Sequence, residues 1–132
     1  VKNTTLSLVV VATACAISGQ AFAGDCTMAS IKGHYNYWAQ GTDAAGKASA
    51  EVGKEIYDGA GNFTSVIAVA GTAALASDSG TYTVNADCTG TATYASGGTY
   101  NLLIAPLGDS FVFASSTEGV VQAGENTRVD AD

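Results

Sequence analysis

The chain is poor in basic residues. Five lysines and arginines face twelve acids, which leaves a net charge of −7. That balance argues against nucleic acid and against anionic lipid as partners. The acids, among them Asp43, Glu51, Asp78 and Asp109, are scattered, so they read as solubilising charge and not as a cation-binding tail. Histidine occurs once, as His34. A general base needs a nucleophile or an orienting acid beside it. No motif supplies one, so His34 reads as a surface or wall residue. Phosphate-cradling loops and helix-based metal motifs are missing too. No cofactor and no metal site are expected.

Long hydrophobic runs are also lacking. The one apolar stretch, Leu6 to Ile17, is too short and wrongly flanked for a membrane-spanning helix. It follows Lys2 and precedes Ala21-Phe22-Ala23, which makes a charged start, an apolar middle and an A-x-A cleavage site. The stretch therefore reads as a bacterial-type export signal, residues 1–23, followed by a single domain over 24–132. The mature chain is expected in the periplasm or outside the cell, without membrane insertion. A rival reading lipidates Cys15. Ala12 stands where a larger aliphatic residue is usual for that signal, and cleavage there would waste the A-x-A site.

Cysteine is scarce as well. Once the leader is removed, Cys26 and Cys88 remain. Two cysteines in an exported domain of this size point to one disulfide. It would close a loop of about sixty residues, which a chain-entropy treatment values at about 4 kcal/mol. One histidine is too little help for a metal pair instead.

What the domain does have is short runs of Thr, Tyr, Val, Ile and Phe divided by Gly, Asp, Asn and Ser, with no convincing helical period. Eight strands are expected, over about 31–40, 47–57, 62–70, 79–86, 90–96, 98–105, 110–116 and 119–128. "YDGAGNF" and "NADCTGT" read as hairpin loops, with Gly90 free to take a positive φ in the second. Asp58 to Asn62 carries oxygen ligands and glycines. It lacks the alternating acids and closing glutamate of an EF-hand loop, so it reads as a turn. The single proline, Pro106, falls at a strand end, where its missing N–H does no harm. Residues 71–79 look mobile. Gly33, Tyr35 and Tyr37 share one face of the first strand, with His34, Asn36 and Trp38 opposite. Short connections favour an antiparallel meander. Closure into an eight-stranded, all-β, up-and-down barrel would abolish its edges. A β-sandwich is the alternative.

"VGKEIYDGAGNF" (Val52 to Phe63), "GTYTVNADCTGT" (Gly80 to Thr91) and "YNLLIAPLGDSFVFASSTEGVV" (Tyr100 to Val121) resemble a family of small exported bacterial proteins. That largely uncharacterised family is lipocalin-like, or calycin-like, in its strand layout. The resemblance covers most of residues 31–128. It implies a small antiparallel barrel and brings no catalytic residues with it.

An eight-stranded barrel has room for filler side chains or for one small ligand. Three functions are therefore weighed. The leading one is non-enzymatic binding of a small apolar or aromatic ligand, with Tyr35, Tyr37, Tyr82, Tyr100, Phe111 and Phe113 lining the cavity. The second is a structural or assembly protein of the cell envelope or extracellular matrix, with a filled barrel and self-association. The third is an enzyme of the allene-oxide-cyclase-like barrel class. The tyrosines, Tyr94 included, serve equally as core filler. Glu51, Glu55 and Asp109 are candidates for an acid pair, without a motif that places the three together.

Overall fold

The computed structural model describes residues 24–130; the expected leader, with Cys15, and the last two residues lie outside them. A single 3₁₀ turn, Met28–Ile31, precedes eight strands: β1 (Gly33–Thr42), β2 (Ala48–Tyr57), β3 (Asn62–Val69), β4 (Ala76–Val84), β5 (Thr89–Tyr94), β6 (Thr99–Ile104), β7 (Ser110–Ser115) and β8 (Val121–Asp130). Each pairs antiparallel with the next, and β8 returns to pair with β1, which closes the barrel. Closure rules out the β-sandwich alternative.

The tight loops set the hairpins. In the β2–β3 loop, Asp58 Oδ1 accepts from the backbone N–H groups of Ala60 and Asn62, and its Oδ2 accepts from Asn62 Nδ2. These bonds hold the Asp58 carboxyl down at about 2. In the β4–β5 loop, Asp87 Oδ1 accepts from both the backbone and the hydroxyl of Thr89. The positive φ there falls on Cys88, at 64°, and not on Gly90 as expected. Two other expectations need correction. β1 begins at Gly33 because Ile31 closes the 3₁₀ turn and is fully buried. The stretch expected to be mobile supplies the start of β4, because Ala76 pairs with Ile67 and Ser77 with Val66.

Alternation decides the interior. Tyr35, Tyr37 and Ala39 point inward from β1, and Glu55 and Tyr57 do so from β2. From the remaining strands come Phe63, Tyr82, Ala92, Leu102, Ile104 and Phe111. The rings pack edge to face: Tyr57 lies 5.1 Å from Tyr82 and 5.6 Å from Phe111, and Tyr94 lies 4.8 Å from Phe63. Such geometry aligns ring edges with ring faces and adds to plain burial. Two inward glycines make the space. A Cβ on Gly53 would stand 2.2 Å from the Tyr37 ring, and one on Gly124 would stand 2.7 Å from the Phe113 ring and 1.9 Å from the Trp38 carbonyl oxygen.

One end of the barrel is sealed by the chain start. Cys26 is bonded to Cys88, with Cα atoms 5.1 Å apart. The Tyr82 hydroxyl donates to the Met28 carbonyl at 3.0 Å, and the Tyr35 hydroxyl donates to the Gly108 carbonyl. Arg128 donates to the carbonyls of Ser30, Lys32 and Gly108, and its guanidinium lies 4.9 Å from the centre of the Tyr35 ring. Loops 43–47, 70–75, 95–98 and 116–120 form the opposite end.

Candidate functional site

All six residues expected to line a cavity face the barrel interior. Tyr35, Tyr37, Tyr82 and Phe111 are buried, and Tyr100 and Phe113 are half-buried. Tyr35 and Tyr82 are engaged in the seal described above. Tyr37, Tyr100 and Phe113 lie toward the other end, with ring centres of Phe113 6.2 Å from Tyr37 and 5.6 Å from Tyr100. The space they leave, bounded also by Glu51, Glu55, Tyr94 and Asn126, is about 20 Å³. That holds about one water-sized group, whereas drug-sized ligands occupy about 300 Å³ or more.

Sequence reasoning raised the two carboxylates in this space without placing them. Glu55 is 1 % exposed, third from the end of β2, between Tyr35 of β1 and Ser65 of β3. Its Oε2 accepts from the Tyr57 hydroxyl at 2.7 Å and from Asn126 Nδ2 at 2.9 Å, and its Oε1 accepts from the Tyr94 hydroxyl. Burial raises the Glu55 carboxyl above the ordinary range, and the three donors pull it partly back. Glu51, two inward positions along, accepts from the Tyr37 hydroxyl at 3.3 Å and is raised by burial as well. Burial also pushes the Tyr100 phenol up to about 12. Asn126 is 2 % exposed, and its Oδ1 has no hydrogen-bond partner. Asp109, the third candidate acid, is exposed in the β6–β7 loop at the sealed end. The signal for the acid pair was present in "EVGKEIY": a period of two puts Glu51, Gly53, Glu55 and Tyr57 on one face.

No three His, Cys, Asp or Glu residues are clustered for a metal among the described residues. His34 points outward from β1.

The outer wall is divided. On β4 and β5 it carries hydroxyls: Thr81 is paired with Thr93 and Thr83 with Thr91, whose side-chain oxygens are 2.8 Å apart. Across β6, β7, β8, β1, β2 and β3 one paired row reads Leu103, Val112, Glu125, Trp38, Val52 and Ala68. Leu103 is 61 %, Val52 56 % and Trp38 47 % exposed. Val66 and Leu75 extend the same apolar area, bordering a surface hollow with Val52 and Ala68. Trp38 thus belongs to the outside and not to the ring cluster within.

The disulfide fits a non-cytoplasmic, oxidising compartment. No helix among the described residues is long and apolar enough to cross a membrane. The architecture is compatible with a lipocalin-like fold. Comparison with family models, with curated proteins and with solved structures finds no match to this chain.

Proposed function

We propose that this barrel is an exported, non-enzymatic assembly protein that acts through its outer wall, pairing there with a second copy of itself. The carrying observation is the apolar row through Trp38, set against an interior nearly filled by its own rings. Exposed apolar side chains gathered as Trp38, Val52, Val66 and Leu75 are, on the side of β1 away from Glu125, mark interaction sites. The occupant is argued from charge. Lys54 stands on one side of β1, beside Asn36, and Glu125 stands on the other, beside Trp38. A two-fold axis near Trp38 brings each copy's Lys54 toward the other's Glu125, so the face is self-complementary.

Analytical ultracentrifugation of the mature protein tests this. A dimer is expected, and Trp38→Asp should yield a monomer with an unchanged far-ultraviolet spectrum. Lys54→Glu should weaken the dimer, and adding Glu125→Lys should restore it. A wild-type monomer persisting to millimolar concentration refutes the reading.

A ligand inside the barrel is the second reading. The observation that favours it is the unpartnered Asn126 Oδ1 beside two carboxylates, in a space that no side chain fills.

A further inference from the structure

We propose that the space at the centre of the barrel takes a primary ammonium group, so that the ligand is a small organic cation and not an apolar molecule. This rests on the reading that a ligand enters the barrel. It replaces the apolar class with a charged one.

The lining decides the chemistry. Glu51, Glu55 and Asn126 present oxygen acceptors, and Tyr37, Tyr57 and Tyr94 present hydroxyls. Four of the donors among these groups are already committed: Tyr57, Tyr94 and Asn126 to Glu55, and Tyr37 to Glu51. Once both carboxyls are ionised, what is left over is mainly acceptor capacity: the bare Asn126 Oδ1 and the remaining carboxylate lone pairs, against one spare N–H on Asn126 Nδ2. Among the described residues no lysine, arginine or histidine lines the space, and Arg128 lies at the sealed end. An occupant that donates meets most of this capacity, and one that is positively charged can take the place of the carboxyl protons where no cationic side chain faces them.

Size and walls narrow the choice further. A volume of about 20 Å³ suits a head group the size of water, such as –NH₃⁺, with its three donors. Tyr94, Tyr100 and Phe113 supply ring faces, which attract ammonium ions by their quadrupoles. A divalent metal wants six or more oxygens or a dedicated cluster of ligands, and no such cluster is present among the described residues. Glu51, Tyr94, Tyr100 and Phe113 are half-buried, so the space approaches solvent away from the disulfide, and a slim alkyl tail has a way out there.

Binding should be coupled to protons. Burial holds both carboxyls above their ordinary range, so a cation that needs them ionised displaces protons. Tyr37, Tyr57, Tyr94 and Tyr100, the other titratable groups facing the space, are all raised and stay neutral over the same range.

The test uses n-propylammonium chloride, with n-propanol and potassium chloride as controls at matched ionic strength. Binding to the mature wild-type protein is read by calorimetry and by the carboxyl ¹³C shifts of labelled glutamate. Propylammonium should bind with proton release, tighten as pH rises by up to about tenfold per pH unit for each proton displaced, and move two glutamate signals. Glu51→Gln and Glu55→Gln should each weaken it at least tenfold. The wild-type shifts carry the test should a variant fail to fold. Equal binding of propanol overturns the cationic class and leaves a barrel ligand standing. Equal perturbation by potassium overturns it in favour of a bare metal ion. No binding of any of the three overturns both the class and the barrel ligand.

Discussion

Raising the pH should destabilise this protein, with Glu55 as the main cause. Unfolded, a glutamate loses its proton near pH 4.3 or so, about the model-peptide value. Folded, Glu55 keeps its proton to higher pH because burial penalises the ionised form. Between those two points the folded state binds a proton that the unfolded state lacks. The associated stability is fully present below the unfolded value and is lost as pH rises toward the folded one. Within that window each such carboxyl contributes a slope of about −1.4 kcal/mol per pH unit. Glu51 has the same sign, but it is half-buried, so solvent screens its share. Asp58, Asp78 and Asp87 are lowered and have the opposite sign. They act only as pH falls below the aspartate range of about 3.9. Glu55→Gln removes the titrating group and keeps the shape. Its oxygen can still accept from Tyr94. Its amide nitrogen would face Asn126 Nδ2, and a half-turn of the Asn126 amide presents the bare Oδ1 instead. Urea unfolding at pH 5, 6, 7 and 8 is the assay. The wild-type curve of stability against pH should descend, and the variant's should be flatter by up to about 1.4 kcal/mol per unit. Parallel curves, or a wild-type curve that rises, would refute the reasoning.

Three more outcomes are expected. Replacing Cys26 and Cys88 together by serine frees a loop with a sequence separation of 62 and should cost about 4 kcal/mol; an unchanged denaturation midpoint contradicts that. Arg128→Ala removes three bonds to backbone carbonyls around the 3₁₀ turn. At about 1 kcal/mol or more each this should cost about 3 kcal/mol, with amide exchange accelerated at residues 30–32 before anywhere else in the barrel. Asp58→Ala strips the β2–β3 loop of its three side-chain bonds. Because the folded Asp58 carboxyl lies at about 2, wild type should lose stability relative to this variant as pH falls from 4 toward 2, and equal acid curves would show the loop bonds to be idle.

The barrel was legible because its signals are local. Alternation in "GHYNYW" placed Tyr35 and Tyr37 on the face opposite Trp38, and the structure turns the tyrosine face inward. Turn residues set the hairpins, and cysteine arithmetic gave the Cys26–Cys88 bridge. The 3₁₀ turn was not legible. It is one turn long, and its stability comes from Ile31 burial and from Arg128, ninety-eight positions away from Ser30. The carboxylate site was half legible. Period two puts Glu51 and Glu55 on one face, but which face is inside depends on the register with β1 and β3. Tyr94 and Asn126, which complete the site, come from strands far along the chain. The positive φ went to Cys88 where a glycine was the natural candidate, because the loop closes with Cys88 N–H donating to the Asn85 carbonyl and Asn85 N–H donating to the Thr89 carbonyl, which puts the left-handed residue just before β5.

The closure of β8 onto β1 has a kinetic side. Seven of the eight strand pairings join neighbours in sequence and can zip from a hairpin. The eighth joins the two ends, so it must wait for the slow encounter of distant segments. Until that seam shuts, every chain carries two bare edges made to fit each other. In a crowded refolding mixture the β8 edge of one chain fits the β1 edge of the next equally well. Dilution, which favours the encounter within one chain, is therefore the condition that steers the meander toward a ring and away from a ladder of swapped copies.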